Sequence, residues 1–254
     1  MKFNEFYKKI DEIAPFSLSK AMMEKGSHDN SGVILKFHDE VNKVLFTLDL
    51  TVSAVLKAVK CGADTIVTHH PAIFYPISKM EIDGENSALA NACFYTLNVI
   101  STHLNLDIAK DGIDDSLATA LGANDIKIIE YVTEDNGYGR EFKVEKCTLS
   151  EFAENAKKEL SLVNVSVFGK PEKIIKKVAS FCGGGSSHAL KYQGNADLIV
   201  TSDMPHHIIT ALTESGKAVM LITHYSAEVY GFKKFAKKCQ SFIETAFYDN
   251  KNLY

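Results

Sequence analysis

Apolar residues along the chain change period several times, and each change marks an element. Phe3, Phe6, Tyr7, Ile10 and Ile13 recur three and four apart, the spacing of one helical face, so an amphipathic helix opens the chain. The period then shortens. Val33-Ile34-Leu35-Lys36-Phe37 and the run from Val44 to Leu50 are rich in β-branched and aromatic side chains and predict strands. Thr51 stands where a hydroxyl can cap a helix whose apolar stripe is Val52, Val55, Leu56 and Val59, and Gly62 stands where a left-handed residue would end it. Thr65 to Thr68 reads as a short buried strand, a helix over residues 85 to 97 follows, and Asn98 to Thr102 is the next strand. Such alternation predicts an α/β sheet with parallel pairs.

From about residue 125 to 169 the pattern differs. Ile126 to Val132 and Arg140 to Val144 read as strands around Glu134-Asp135-Asn136-Gly137, a hairpin signal. Thr148-Leu149-Ser150-Glu151 is a capping box opening an amphipathic helix that runs to Leu160. The expected architecture is α/β in two domains, residues 1–125 and 126–254, with the last part of the chain packing back on the first. Two segments also echo each other: Gly62-Ala63-Asp64-Thr65-Ile66-Val67-Thr68-His69-His70-Pro71 and Asn195-Ala196-Asp197-Leu198-Ile199-Val200-Thr201-Ser202-Asp203. After each come a helix and a strand leading into Thr-His-x-x-x-acid: Thr102-His103 with Asp107, and Thr223-His224 with Glu228. The repetition points to two related α/β units that deliver polar groups from the carboxyl ends of parallel strands, where open α/β sheets build their sites.

Charge and composition narrow the function. Against 28 Lys+Arg stand 32 Asp+Glu, a net charge of −4, which argues against holding bulk nucleic acid or membrane by net charge. The start, Met1 to Lys9, is charged and lacks the apolar core of a secretory signal, and no apolar run reaches the length of a membrane span. Five cysteines, odd in number and never spaced C-x-x-C, fit neither a zinc ribbon nor a simple disulfide framework, so a reducing cytoplasm is the expected location. Arg140 is the only arginine, which leaves little means of clamping phosphate bidentately. In Phe232-Lys233-Lys234-Phe235-Ala236-Lys237-Lys238-Cys239 the lysines read as a solvated face over an apolar stripe.

The candidate chemistry lies in histidines and carboxylates. His69 and His70 can face one cavity only if the backbone leaves strand geometry, which Pro71 favours. Asp107 follows His103 by four residues and Glu228 follows His224 by four, so on one helical turn each pair shares a face. Imidazole and carboxylate without thiolate suit zinc, manganese, iron or nickel. Five or six such groups exceed one tetrahedral site, and two ions about 3.5–4 Å apart would use them fully. A His-His pair alone is better explained as a surface or hydrogen-bonded pair; the repeated motif shifts the balance to metal. His206-His207 reads as a solvated or outer pair after Pro205, and His28, His38 and His188 have no partner pattern. Cys182-Gly183-Gly184-Gly185-Ser186-Ser187 fits either a cradle for an anion or a tight turn beside the site.

Ala63-Asp64-x-Ile66-Val67-Thr68-His69-His70-Pro71, Thr102-His103-x-x-x-Asp107, Gly183-Gly184-Gly185-Ser186, Thr201-Ser202-Asp203 and His224-x-x-x-Glu228 together resemble the successive signatures of the GTP cyclohydrolase 1 type 2 homologues, also called NIF-three-like proteins. The resemblance covers nearly the whole chain in the correct order. It implies two interlinked, internally similar α/β domains, a dinuclear metal centre in the cleft between them, and a toroidal homohexamer. Its ligands would be His69, His70, Asp107, His224 and Glu228, holding two divalent ions per chain with Glu228 as the bridge. His103 would lie beside the metals and shuttle protons, making His103 and Glu228 the catalytic residues. The implied function is a divalent-metal-dependent hydrolase that turns a metal-bound hydroxide on a nucleotide-like substrate, with GTP opened at C8 and formate released. The alternative is a non-catalytic metal-binding or regulatory interaction protein. Asp111-Gly112-Ile113-Asp114-Asp115, Ser202 and Pro205 depart from the family pattern without removing a ligand, so they bear on loop shape and substrate. The chain is of the short family form, without the domain inserted in longer relatives.

Overall fold

Thr51, Gly62 and Thr148 act where the sequence puts them, and the computed structural model, which describes residues 1–249, builds two units from the elements they bound. The first unit comprises residues 1–109 and the chain from Phe232 onward; the second comprises residues 110–231. In chain order the first holds α1 (Phe3–Ile13), α2 (Phe16–Glu24), β1 (Gly32–Leu35), β2 (Lys43–Thr47), α3 (Val52–Cys61), β3 (Thr65–Thr68), α4 (Ser87–Phe94), β4 (Asn98–Ser101) and α5 (Leu104–Ile108). The second holds α6 (Ile113–Ala120), β5 (Asn124–Tyr131), β6 (Gly137–Thr148), α7 (Leu149–Glu159), β7 (Ser166–Phe168), β8 (Ile174–Ser180), α8 (Ser186–Lys191), β9 (Leu198–Thr201), α9 (His206–Glu214) and β10 (Ala218–Leu221). Helix α10 (His224–Cys239) starts in the second unit and ends in the first, where β11 (Glu244–Phe247) completes the described chain.

The sheet of the first unit has the order β1-β4-β3-β2-β11, and that of the second β5-β6-β8-β9-β10-β7. Within both lies one common core. β2, β3 and β4 are parallel neighbours with β1 antiparallel on the β4 edge; β8, β9 and β10 repeat this with β7 antiparallel on the β10 edge. The resemblance between the two Thr-His motifs is thus the visible part of a four-strand repeat. What differs is the other edge: β2 receives the parallel strand β11, whereas β8 receives the antiparallel hairpin β5-β6.

Strands buried on both faces account for the continuous apolar runs. Leu45, Ile66 and Val99 pack with Ala54, Val55 and Ala58 of α3 and with Ala92. On the opposite side of β2, Phe46 meets Phe232 and Phe235 of α10 with ring centroids 6.0 and 5.8 Å apart. Phe232, Phe235 and Cys239 are buried while Lys233, Lys234, Lys237 and Lys238 are exposed, as the stripe predicts. Among the described residues no helix is long and apolar enough to cross a membrane.

The division expected at residue 125 falls inside β5, because the second unit takes in α6 as well. Asp114 on α6 accepts hydrogen bonds from the backbone N–H groups of Gly139 (2.7 Å) and Cys182 (2.9 Å), tying the helix to β6 and to the segment after β8. The hairpin and capping box appear as read: Thr148 Oγ1 accepts from Glu151 N at 3.2 Å, and Glu151 Oε2 accepts from Thr148 N at 2.8 Å. Thr148→Ala removes one of these bonds and the constraint on the other, and is expected to lower stability by about 1 kcal/mol, measured by urea unfolding. A loss below a few tenths would mean the cap is idle.

Candidate metal centre

In the first unit β3 stops at Thr68 and the chain turns. His69 N and His70 N both donate to Leu48 O, at 3.1 and 2.9 Å, and Thr68 Oγ1 donates to His70 O at 2.8 Å. This local turn before Pro71 lets two consecutive side chains leave strand alternation. His69 is fully buried; its Nδ1 lies 2.8 Å from Thr102 O and its Nε2 3.4 Å from Asp107 Oδ1. His70 Nδ1 lies 2.6 Å from Asp49 Oδ1. The ring centroids of His69, His70 and His103 are 4.9, 5.4 and 5.8 Å apart pairwise. Asp107 N donates to His103 O at 3.0 Å, closing the helical turn that the four-residue spacing anticipates. In consequence a ligand atom from each of His69, His103 and Asp107 falls within 4.8 Å of the other two.

His103 has the most enclosed support. Its Nδ1 lies 2.8 Å from Asp29 Oδ1, and Asp29 also accepts from the hydroxyls of Ser19 and Ser31. Burial pushes the Asp29 carboxyl up, but the His103 bond and charge, with the two hydroxyls, outweigh it and hold the pKa at about 2. The group is therefore an ionised acceptor at neutral pH.

In the second unit Thr223 Oγ1 accepts from Ser226 N at 3.1 Å at the start of α10. On that first turn His224 Nε2 stands 3.0 Å from Glu228 Oε1. His224 Nδ1 is hydrogen-bonded to Asp203, which follows β9 in a left-handed conformation with φ 49°. Against this pair runs the glycine turn. Gly183 has φ 54°, and a Cβ there would stand 2.6 Å from Glu228 Oε1 and 3.4 Å from His224 Nε2. Gly185 N donates to Gly183 O (3.0 Å) and to Thr201 Oγ1 (3.2 Å), and Ser202 Oγ donates to Gly183 O (2.7 Å). These internal bonds favour the tight-turn reading over the anion cradle.

One pattern runs through all four histidines of the two motifs. Each Nδ1 faces an oxygen: Thr102 O for His69, Asp49 for His70, Asp29 for His103 and Asp203 for His224. A backbone carbonyl and a carboxylate only accept, so Nδ1 of each ring is the donor, and in the neutral ring Nε2 is the nitrogen left for a metal. That is the arrangement of metal-ligating histidine, in which the far ring nitrogen is fixed by an acceptor. The distances fit as well. Two donors about 2.1 Å from one ion stand about 3.0 Å apart at a right angle and about 3.4 Å apart at the tetrahedral angle. His224 with Glu228, and His69 with Asp107, stand at those separations.

Asp29, Asp49 and Asp203 were not singled out as site residues in the sequence. Asp49 had a usable signal, a lone acid near the carboxyl end of an otherwise apolar strand run; Asp203 sits inside a repeated motif; Asp29 lies in the polar stretch His28-Asp29-Asn30-Ser31, which has no period. The remaining histidines lie elsewhere: His188 Nδ1 is 2.8 Å from Glu130 Oε1, His38 Nε2 is 3.3 Å from Thr96 Oγ1, and His206 and His207 are exposed at the start of α9. Arg140 is 1% exposed and paired with Asp114 and Asp115, which removes it as a phosphate clamp.

Comparison with known proteins places these features. The pattern of the Duf34/NIF3 (NGG1p interacting factor 3) family matches residues 1–252. A protein of Methanocaldococcus jannaschii named GTP cyclohydrolase 1 type 2 homolog is 32% identical, with 96% of this chain and 97% of that protein covered. One of the same name from Clostridium perfringens is 29% identical, with 96% and 94% covered. Among solved structures, reduced HcgD from Methanocaldococcus jannaschii is similar over 98% of each chain with a TM-score of 0.81 and 30% identity. A Staphylococcus aureus hypothetical protein has the same fold, with a TM-score of 0.87 at 24% identity and coverage of 98% and 96%.

Proposed function

The chain belongs to the Duf34/NIF3 family, and from that premise we propose that it is a divalent-metal-dependent hydrolase acting on a nucleotide-like substrate. His69, His70, Asp107, His224 and Glu228 would be the residues that hold two divalent ions per chain, with Glu228 as the carboxylate that both would share. The observation that carries the reading is the shared state of the motif histidines, every Nδ1 on an oxygen acceptor and two Nε2 atoms at ligand-to-ligand distance from a carboxylate. The relatives named GTP cyclohydrolase 1 type 2 homolog support GTP as the first substrate to try. Assembly as a homohexamer belongs to the same reading.

When bound, two such ions would supply Lewis acidity and bring a coordinated water toward ionisation near neutral pH. The residues of the chain have their own tasks. His69, held at Nδ1 by Thr102 O, and His70, held by Asp49, present Nε2 in fixed directions. His103, held at Nδ1 by Asp29, would accept or return a proton at Nε2.

Elemental analysis of the purified protein tests the reading. Wild type is expected to hold about two ions per chain, and His69→Ala and Glu228→Ala to lose one or both. No bound metal in wild type, even after reconstitution with zinc, manganese or iron, would sink it. Turnover on a panel of nucleotides then separates a hydrolase from a metal-binding protein without catalysis.

A further inference from the structure

We propose that Asp29 is a positioning residue that locks the His103 ring with Nε2 turned toward the donors of His69 and Asp107. The proposal rests on the metal reading of that cluster, and it concerns a residue outside the ligand set.

The four residues His28 to Ser31 alternate in what they hold. His28 Nε2 lies 2.7 Å from Phe74 O, and Asn30 Nδ2 donates to Ile73 O at 2.6 Å, so the even positions hold the loop that follows His69-His70-Pro71. The odd positions hold His103. Ser31 Oγ accepts from His103 N at 3.0 Å while donating to Asp29 Oδ2 at 2.7 Å, and Asp29 Oδ1 takes the ring at Nδ1. Backbone and ring of one histidine are thus held by two side chains that are also bonded to each other. Ser19 binds the same Oδ2, which leaves the carboxylate no other rotation that keeps its partners.

The Asp29 side chain is fully buried, and a charge in that position is costly unless it is paired and hydrogen-bonded. The Nδ1–H of His103 and the hydroxyls of Ser19 and Ser31 supply those hydrogen bonds. A half-turn of the His103 ring about its second side-chain torsion would put a carbon against Asp29 and move the nitrogen away from the cluster. Position in the repeat supports the assignment: His103 follows β4 as His224 follows β10, and each has Nδ1 on an aspartate four residues or more from its own motif.

The test reads the proton directly. Full-length protein labelled with ¹⁵N-histidine is stripped of metal and examined by long-range ¹H–¹⁵N correlation above the imidazole titration range, with His103→Gln identifying the His103 signals. Wild type is expected to show Nδ1 protonated and Nε2 bare. Asp29→Ala is expected to revert toward the Nε2-protonated form that unconstrained histidine prefers. Asp29→Asn keeps an acceptor at Oδ1 and is expected to keep the wild-type tautomer. A wild-type His103 protonated at Nε2 overturns the proposal, as does Asp29→Ala with an unchanged tautomer. If Asp29→Ala does not fold, the wild-type and Asp29→Asn spectra decide. Absence of zinc binding in wild type removes the metal reading, while the tautomer still decides the hold of Asp29 on the ring.

Discussion

Arg140→Met is expected to destabilise the protein by about 3–5 kcal/mol at neutral pH, the cost of removing one partner from a buried ion pair. Arg140 Nε is hydrogen-bonded to Asp115, Nη1 donates to Gly137 O (2.7 Å) and Gly139 O (3.1 Å), and Nη1 lies 3.8 Å from Asp114 Oδ2. Methionine keeps the apolar stem but removes the charge facing two carboxylates, of which Asp114 is fully buried. Burial already pushes the Asp114 carboxyl up, opposed first by the Arg140 charge and then by the N–H groups of Cys182 and Gly139. Without Arg140 the native carboxyl moves further above its unfolded value. A group raised on folding costs nothing below its unfolded pKa and destabilises as pH rises through and beyond it. The deficit should therefore shrink between pH 7 and pH 5, measured as the difference between variant and wild type in urea unfolding. A deficit under 1 kcal/mol, or one equal at both pH values, would contradict this account.

Much of the fold was legible because its causes are local. The cap at Thr51, the left-handed Gly62 and the reciprocal bonds of Thr148 and Glu151 each involve residues within a few positions of one another. Strands buried on both faces announce themselves as apolar runs, which is why β2, β3 and β4 could be read. β7, three largely exposed residues, and β11, at the sheet edge, had no such run. β6 reads as a strand only to Val144, because its register with β8 shifts between Lys143 and Cys147 and breaks the alternation that marks a strand.

The site divides in the same way. The Thr-His-x-x-x-acid motifs are visible because ligand and partner share one helical turn, as the 3.0 Å approach of His224 and Glu228 shows. The pairing of each ring with the side chain that orients it is invisible because the two lie far apart in sequence. Asp29 lies 74 positions from His103, and Asp49 lies 21 from His70. No period or spacing connects such pairs; only the folded backbone does. The glycine turn held two readings open for a related reason. The Gly185 amide is bonded to Gly183 O and to Thr201, a strand away, and that partnership has no sequence signature.

Gly183→Ala should weaken metal binding that involves His224 and Glu228 by about 100-fold or more while leaving the sheets intact. Two independent costs fall on this one methyl group. The backbone at Gly183 has φ 54°, a left-handed conformation that costs an L-residue about 1 kcal/mol and glycine almost nothing. The new Cβ would then stand 2.6 Å from Glu228 Oε1, a distance no carbon and oxygen tolerate, with His224 Nε2 at 3.4 Å. Gly183 is held by Ser202 Oγ and Thr201 Oγ1, which both donate to its carbonyl, so the turn yields less readily than the carboxylate does. Glu228 must swing, and its separation from His224 is lost with it. Gly184→Ala is the matched control, since a Cβ there meets only Asp203 Oδ2 at 4.0 Å. Elemental analysis and zinc titration of both variants, with circular dichroism to check folding, should show Gly183→Ala weakened by about 100-fold or more and Gly184→Ala near wild type. Equal metal content in the two variants would mean that the glycine turn does not shape the ligand pair, and that His224 and Glu228 have room their geometry does not suggest.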